Sequence, residues 1–244
     1  MKTRRGAVVI GLMAGLAASG VAQAALWDRG GGLIYDDVLD VTWLQDASYA
    51  ETSGYDVNGV MSWSRAMAWA DQLTYGGFSN WRLPTVNPIN GSAYDFNLSY
   101  DGSTDYSYNI SAPGTVYAGG TGSELAYMYY NNLLGNEPAY NPDGSANPDW
   151  SLVVSPSFVD AATGETRAFQ NLGSWFYWSG TEYALDPSVV AWGFLNHYGL
   201  QAGDFKVWGS GLAWAVRPGD VPLPGAGLLL ASALVGLGWA HRRR

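Results

Sequence analysis

Hydrophobic periodicity predicts one clear amphipathic helix in the first third of the chain. The apolar positions share one helical face: Trp63, Ala66, Met67, Ala70 and Leu73. Ser62 stands before this stripe as the expected N-cap, and Gly76-Gly77 follows it as the expected stop. Arg65, Ala68 and Gln72 are expected to face solvent.

A second helix is predicted over residues 123–134. Its inner face would consist of Leu125, Met128, Tyr129 and Asn132. Gly135 would end it, because glycine readily takes the left-handed conformation that closes many helices.

Alternating apolar residues predict that the C-terminal half is mostly strand. The two best patterns cover residues 190–194 and 212–216, and shorter strands are predicted at 152–154, 175–179 and 205–208. The expected hairpin turns lie at Gly199, Gly203, Gly209 and Gly211. Residues 84–122 and 136–148 follow neither period, so we expect two long loops there.

The N-terminus has the order of a secretory signal peptide. Lys2, Arg4 and Arg5 precede an apolar stretch, and Ala22-Gln23-Ala24 supplies a small-residue cleavage site. We predict a signal peptide over residues 1–24, removed by signal peptidase. An uncleaved N-terminal anchor is the alternative, although the apolar run is short for a bilayer span.

The C-terminus carries a second apolar segment. Residues 225–240 contain no charge and are followed by His241 and three arginines. Sixteen helical residues at ~1.5 Å each reach about 24 Å, and an extension back to Val221 makes the length adequate for a transmembrane helix. The basic cluster would stay on the cytoplasmic side, which leaves the central region exported.

This tail resembles the PEP-CTERM sorting signal of Gram-negative bacteria that possess an exosortase. The motif residues are Val221, Pro222, Leu223, Pro224, Arg242, Arg243 and Arg244. Leu223 stands where the commonest form of the signal carries glutamate. The resemblance implies that the helix is a transient anchor, that an exosortase cleaves near the two prolines, and that the protein reaches the cell surface or the medium. A plain C-terminal membrane anchor is the alternative.

The exported region, residues 25–220, is acidic and free of cysteine. It holds all 21 acidic residues and only six of the 12 basic ones, which makes its net charge −15. This charge disfavours nucleic acid as a partner. The absence of cysteine excludes thiol nucleophiles, thiolate metal sites and disulfides.

Several motifs between residues 32 and 218 resemble the DUF1566 domain, also called the Lcl C-terminal domain. They are Gly32-Leu33-Ile34-Tyr35, Thr42-Trp43, Ser62-Trp63, Trp69-Ala70, Gly77-Phe78-Ser79-Asn80-Trp81-Arg82-Leu83-Pro84-Thr85, Glu124-Leu125, Tyr177-Trp178-Ser179-Gly180-Thr181, Ala191-Trp192-Gly193-Phe194 and Ala215-Val216-Arg217-Pro218. The resemblance implies an α+β fold like that of C-type lectins and the formylglycine-generating enzyme. Such a domain has a small twisted antiparallel sheet, one or two helices and long loops.

We expect structural roles for the residues that carry this family motif. They are Trp63, Asn80, Trp81, Arg82, Pro84, Trp178, Trp192 and Arg217. A tryptophan buries a large apolar area, an arginine can bond several backbone carbonyls, and a proline fixes a turn. The alternative is that residues 80–84 line a ligand site.

The residues give little support for catalysis. His197 is the only histidine of residues 25–220, and no serine lies in a Gly-x-Ser-x-Gly elbow. A glycosidase would need a carboxylate pair, and the candidates are Asp36-Asp37-Asp40 or Glu124 with Glu182. The oxidase chemistry of the formylglycine-generating relatives depends on cysteines, so the resemblance does not imply it here.

Two acidic loop segments are candidate calcium sites, because carboxylate and amide oxygens are the ligands that calcium prefers. The first comprises Asp95, Asn97, Asp101 and Asp105, and the second Asn141, Asp143, Asn147 and Asp149. The alternative is that these side chains are merely solvated, with no cofactor.

Loop tyrosines are candidate contacts for sugars or proteins, or else packing residues: Tyr94, Tyr100, Tyr106, Tyr108, Tyr117 and Tyr140.

These features together predict an exported, non-enzymatic domain that binds extracellular polysaccharide or another surface partner through its loops. PEP-CTERM sorting implies an association with exopolysaccharide in biofilm or floc material. A carboxylate-based glycosidase acting on that material and a purely structural envelope protein are the two alternatives.

Overall fold

The computed structural model describes residues 25–207 and 210–220. The predicted signal peptide, the sorting motif and the predicted transmembrane helix lie outside these residues. Among the residues that are described, no helix is long and apolar enough to cross a membrane.

The strands are β1 (Leu26–Asp28), β2 (Leu33–Asp36), β3 (Val41–Leu44), β4 (Leu98–Ser99), β5 (Tyr106–Tyr108), β6 (Ser157–Val159), β7 (Thr166–Ala168), β8 (Phe176–Glu182), β9 (Val190–Leu195), β10 (Leu200–Phe205) and β11 (Val216–Pro218). The helices are α1 (Tyr49–Thr52), α2 (Trp63–Gln72) and α3 (Glu124–Tyr127), which continues as a π-helix over Met128–Asn132.

The fold is α+β, as predicted, and its largest elements are two sheets. The first sheet has the order β1-β2-β3-β11 and is antiparallel throughout. It therefore joins the first strand of the described chain to the last. One row of paired residues crosses it, from Leu26 through Asp36 and Val41 to Pro218.

The second sheet has the order β4-β5-β10-β9-β8. Its β4 and β5 strands are parallel, which differs from the antiparallel sheet that we expected, while the other neighbours are antiparallel. The strands β4 and β5 lie inside residues 84–122, where we predicted only loop. Both are too short for their alternation to be recognised in sequence.

Helix α2 confirms the first predicted helix. Its face buries Ala66, Trp69 and Ala70 against the core, and Arg65 is exposed as expected. The turn at Gly76-Gly77 comes four residues after the helix ends and brings Tyr75 opposite Phe78. These glycines therefore form a separate turn and do not stop the helix itself.

The second predicted helix is present as α3 and its π-helical continuation. The Ser123 side chain accepts a hydrogen bond from the Ala126 amide and so caps its start. Asn132 lies on the buried face, as the pattern predicts, because its amide donates to the buried Asp36 carboxylate at 2.6 Å. A polar residue on an inner face is tolerated when it finds such a partner.

The predicted strands 152–154 and 212–216 are wrong because contacts with residues distant in sequence replace regular strand pairing there, and the predicted strand 205–208 is corrected below. Residues 152–154 are not a strand, since the Val153 amide is bonded by the Asn136 side chain rather than by a neighbouring strand. Residues 212–216 pass from one sheet to the other. Leu212 exchanges backbone hydrogen bonds with Phe176 and Trp178 of β8, whereas the Ala215 carbonyl accepts from the Leu44 amide of β3 and the strand β11 begins at Val216.

The glycines near the C-terminus correct the predicted hairpins. Gly199, with φ +71°, forms the β9–β10 turn as expected. Gly203 lies inside β10 instead, since β10 runs over Leu200–Phe205 and not over the predicted 205–208. A Cβ at Gly203 would come within 2.8 Å of the Tyr183 ring, so the position requires glycine for space rather than for a turn. Gly211 pairs with Met61 in an isolated bridge, and Gly209 lies outside the described residues.

Tryptophan rings fill the core of the molecule. Trp43 and Trp214 are fully buried with ring centroids 4.8 Å apart, and Phe169 meets Trp214 edge to face. Aromatic pairs of this kind add about 1 kcal/mol each beyond their buried area. Since the chain has no cysteine and therefore no disulfide, the core is held by non-covalent packing in which these rings take part.

Candidate functional site

The sequence-predicted motif 80–84 lies at an interior junction between β11, the helix α3 and the chain before it. Trp81 is 4% exposed, and its indole donates to the Phe78 carbonyl at 3.1 Å. The Arg82 guanidinium holds the Glu124 carboxylate with two hydrogen bonds of 2.7 and 2.8 Å. Arg82 thus bonds a carboxylate as well as the single carbonyl of Leu83, rather than the several carbonyls that we expected.

The other motif tryptophans are also largely inside the fold. Trp178 and Trp192 are fully buried, and the Trp178 indole donates to the Met61 carbonyl at 2.9 Å. The half-buried Trp63 donates to the Ser179 carbonyl at 2.8 Å and lies 4.1 Å below the ammonium of Lys206. The Pro84 carbonyl accepts from the Gly180 amide at 2.7 Å, which ties the motif to β8.

Asn80 and Arg217 form a second contact of the same junction. The Arg217 guanidinium donates to Asn80 Oδ1 at 3.0 Å and lies 4.1 Å above the Phe78 ring. Burial lowers the pKa of Arg217 from its ordinary value. None of the motif residues lines the three cavities described below.

The candidate carboxylate pairs are occupied by other contacts. Glu124 is bound to Arg82, and the Lys206 ammonium lies 2.6 Å from Glu182. Asp36 is fully buried and accepts hydrogen bonds from the Val38 and Leu39 amides. Burial raises its pKa to about 6. A carboxyl group in this position holds a turn together and does not face a substrate.

The two acidic loop segments use their side chains to close their own turns. Asp105 bonds the amides of Ile89 and Asp95, and Asp101 bonds Ser103. Asp143 bonds Ser145 in the same way. Throughout residues 25–207 and 210–220, no group of three or more histidine, aspartate or glutamate side chains is placed to hold a metal ion. Calcium binding stays a prediction.

The loop tyrosines pack the long loop onto the domain. Tyr94 donates its hydroxyl to the Val86 carbonyl and contacts the Trp192 ring at 5.7 Å. Tyr100, Tyr108 and Tyr140 form a three-ring cluster with centroids 4.9 to 5.4 Å apart. These rings are therefore half-buried, and they are not the exposed contacts that a ligand would use.

Exposed aromatic rings instead surround a cleft beside the second sheet, which we call the aromatic cleft. Its volume is about 690 Å³, which is within the usual range for small-ligand sites. Its rings are Trp175, 55% exposed, Phe205, 53% exposed, and Tyr198, 39% exposed. The cleft is lined by Ser174, Trp175, Phe176, Leu195, His197, Tyr198, Gly203, Asp204, Phe205 and Ser210.

The strands of the second sheet hold these rings in fixed positions. Trp175 directly precedes β8, and its indole donates to the Ser210 carbonyl at 2.6 Å. Tyr198 lies in the β9–β10 turn and Phe205 at the end of β10. A ring that is already held loses little conformational entropy when a ligand covers it.

Trp150 extends this surface beyond the cleft. Its ring is 40% exposed and stacks on Tyr198 with centroids 5.5 Å apart and an interplanar angle of 10°. The same ring meets His197 edge to face at 4.5 Å. The result is a rigid aromatic platform of Trp150, His197 and Tyr198.

A second cleft of about 720 Å³, which we call the polar cleft, adjoins the first. The two clefts share Ser174 and Trp175. The remaining lining of the polar cleft is Ser48, Glu51, Thr52, Val57, Asn58, Val60, Val154, Asn171, Leu172, Gly173 and Leu212. Its apolar floor and its hydroxyl and carboxamide groups suit a ligand that carries many hydroxyls.

Charge in the two clefts is low. Among the described residues, each contains a single carboxylate, Glu51 in the polar cleft and Asp204 in the aromatic cleft, and no lysine or arginine lines either of them. Five of the six basic residues of the described chain lie in ion pairs elsewhere: Arg29, Arg65, Arg82, Arg167 and Lys206.

A third cavity of about 330 Å³ lies on the other side of the β9–β10 turn. The hydroxyl of Tyr129 and the amide nitrogen of Asn136, which both line it, have no hydrogen-bond partner. Both atoms are closed off from solvent, so a ligand in the cavity would not reach them. Burial raises the pKa of the Tyr129 hydroxyl, which keeps it neutral.

The aromatic cleft was not predicted from the sequence. Trp175 and Phe205 were expected within strands, where alternation does not show which face is covered. The one local signal is the place of Trp175 directly before β8, whose first four residues are buried.

No protein-family model, no curated protein and no solved structure matches this chain. The resemblances to the DUF1566 domain and to the PEP-CTERM signal stay predictions.

Proposed function

We propose that this protein is an exported, non-enzymatic domain that binds extracellular polysaccharide through the aromatic cleft. The observation that carries the proposal is the group of held, exposed rings of Trp175, Tyr198 and Phe205 around one cleft. The faces of sugar rings stack on such aromatic side chains, while the hydroxyls of the sugar bond the polar rim.

The arrangement favours binding over hydrolysis. Retaining and inverting glycosidases need two carboxyl groups about 5 to 9 Å apart on either side of the bond that they cleave. The aromatic cleft offers the single carboxylate of Asp204. The candidate residues Glu124 and Glu182 are bound to Arg82 and Lys206.

The proposal includes the route to the cell surface and a finer fold assignment. The signal peptide and the sorting motif would export the acidic body across the inner membrane of a Gram-negative bacterium, where an exosortase releases it. A four-stranded sheet, a five-stranded sheet and the β6-β7 pair, with long connections and few helices, are consistent with the C-type-lectin-like fold.

A glycan array tests the binding proposal directly. The full-length chain, purified in a detergent without a sugar headgroup, is applied with calcium and with a chelator, and hits are measured by calorimetry. We expect at least one bound polysaccharide class and about a tenfold or greater loss of affinity in Trp175→Ala. Leu185→Ala is the matched control, because Leu185 is an exposed apolar residue outside the clefts.

Each contrary result has a separate meaning. Silence across the array would favour the structural envelope protein. Turnover of a bound polysaccharide that disappears when Asp204 is changed to asparagine would overturn the non-enzymatic part of the proposal. Binding that is present with calcium and lost with the chelator would indicate that calcium held by the two acidic loop segments takes part.

The sorting proposal has its own test. The chain is expressed in a host with an exosortase and in the same host with the exosortase deleted. We expect the chain to be shortened at its C-terminus and found outside the cell only in the first host, and the double variant Pro222→Ala, Pro224→Ala to stay membrane-bound in both. Equal release from both hosts would overturn the sorting proposal and leave the binding proposal intact.

A further inference from the structure

The two clefts are neighbours and share two lining residues. Ser174 and Trp175 line both of them, so the exposed ring of Trp175 lies between the aromatic cleft and the polar cleft. Its hydrogen bond to the Ser210 carbonyl holds the ring there. A ligand that stacks on this ring has binding surface on either side.

We propose that the ligand is an extended segment of a neutral polysaccharide that occupies both clefts and crosses Trp175 between them. This inference rests on the proposed function and adds the length and the charge of the bound chain. Each cleft, at about 690 and 720 Å³, has room for a short oligosaccharide. A chain that fills only one of them would leave the other side of Trp175 unused.

The charge of the lining supports a neutral chain. The charged and titratable groups that line the clefts are Glu51, Asp204, His197 and Tyr198. These two carboxylates, in clefts that no described lysine or arginine lines, repel uronic acids and sulfated sugars, and the acidic body adds to that repulsion. Neutral sugars carry no such penalty.

The two clefts are expected to contribute differently along the chain. In the aromatic cleft, Phe205 and Tyr198 supply stacking surfaces. In the polar cleft, Glu51 and the 58% exposed side chain of Val154 line the path on the other side of Trp175. The stronger stacking surface should bind the first sugars, so a short ligand should occupy the aromatic cleft and only a longer one should reach the polar cleft.

A length series tests this. Oligosaccharides of a neutral polysaccharide that binds on the array, from the disaccharide to the hexasaccharide, are titrated into the full-length chain by calorimetry. We expect the hexasaccharide to bind at least tenfold more tightly than the disaccharide. We expect Phe205→Ala to weaken both ligands, and Glu51→Gln or Val154→Ser to weaken the hexasaccharide about threefold while leaving the disaccharide unchanged.

The matched control for the polar cleft is Val159→Ser, because Val159 is similarly exposed but lies on β6, outside both clefts. It should leave every affinity unchanged. Equal affinities along the series, or no difference between Val154→Ser and Val159→Ser, would overturn the two-cleft inference while the proposed function stands. A series in which neither polysaccharide nor oligosaccharide binds would overturn the proposed function itself.

An anionic series of the same lengths tests the charge. We expect affinities at least tenfold weaker than those of the neutral chains at low salt, with a smaller difference at high salt. Anionic chains that bind as tightly as neutral ones at low salt would overturn the neutral-ligand part of the inference.

Discussion

The interior junction around Trp81 and the surface around Trp175 each contain a tryptophan, and the two tryptophans have different roles. Both indoles donate to a backbone carbonyl, Trp81 to Phe78 at 3.1 Å and Trp175 to Ser210 at 2.6 Å. The two residues differ in solvent exposure: Trp81 is 4% exposed and Trp175 is 55% exposed. The hydrogen bond therefore fixes the ring in each case, and burial alone separates a stabilising tryptophan from one that is available to a ligand.

The two regions also differ in how they handle charge. The junction encloses a bidentate ion pair between Arg82 and Glu124, which the Thr85 amide joins at 2.7 Å. The clefts contain one carboxylate each and no basic residue. Charge is thus used inside the fold for specific contacts and is kept scarce where a neutral ligand would bind.

The largest expected effect comes from one substitution made in both regions. Trp81→Ala should lower the free energy of unfolding by about 3 to 5 kcal/mol, because it leaves a cavity in the core. Trp175→Ala should lower it by less than about 1 kcal/mol and instead reduce glycan binding. Urea denaturation of the two variants measures the difference. Equal destabilisation by both would contradict the distinction that we draw.

Breaking the junction's ion pair should have the next largest effect. Arg82→Met leaves the buried Glu124 carboxylate without its cation and should cost about 3 kcal/mol of unfolding free energy. The control is Arg167→Met, because the Arg167 side chain is itself exposed and pairs with the exposed Glu165 at 2.7 Å and more distantly with Asp28 at 3.6 Å; it should cost less than about 1 kcal/mol. A small effect of Arg82→Met would mean that the pair adds little beyond the surrounding packing.

The buried Asp36 carboxyl should make stability depend on pH. Its pKa is raised from 3.8 to about 6 by burial, so the folded state binds the proton more tightly than the unfolded state does. This contribution is fully present below about pH 4 and is lost as the pH rises through 6. The free energy of unfolding of the wild type minus that of Asp36→Asn should therefore be larger at about pH 4 than at about pH 7, by on the order of 2 kcal/mol.

The Asp36→Asn variant is a suitable reference for this measurement. Its new side-chain oxygen can still accept from the Val38 and Leu39 amides. Its new NH₂ group would meet the NH₂ group of Asn132, so the Asn132 amide has to turn over and present its Oδ1, which has no partner in the wild type. Denaturation curves at several pH values give both stabilities. A wild-type minus variant difference that stays flat with pH would show that Asp36 does not titrate as proposed.

The smallest expected effect is that of salt on neutral-glycan binding. Since no lysine or arginine lines the clefts, the affinity should change by less than about twofold between about 0.05 and 0.5 M NaCl. Calorimetry at several salt concentrations checks this. A steep loss of affinity with salt would place the bound glycan on a charged surface elsewhere.

The elements that sequence predicted well are those with a strong local period. Helix α2 follows a 3.6-residue period with one apolar face, and β9 alternates large and small residues. The strand β3 was not predicted, because Val41–Leu44 is buried on both faces and so shows no alternation. The prediction of a strand over 212–216 was wrong because its residues bond to two different sheets, and no local pattern reveals this.

The interior junction could be anticipated in part, and the clefts could not. Trp81 was expected in the core from its residue type, since a large indole is usually buried. The partner of Arg82 is 42 positions away along the chain, and only the fold shows that it is Glu124. The exposure of Trp175 likewise depends on neighbours distant in sequence, such as Ser210.

The first sheet also determines where the body can be attached. The row from Leu26 to Pro218 spans three strand spacings, so the two ends of the described body leave one edge of the molecule about 14 Å apart. The Arg29 guanidinium bonds Asp220 and closes this edge. A short linker between these ends would permit a circular permutation, with new termini opened in an exposed turn such as that at Asn90 and Gly91. A tether joined at either end of the described residues would hold the body from the same side.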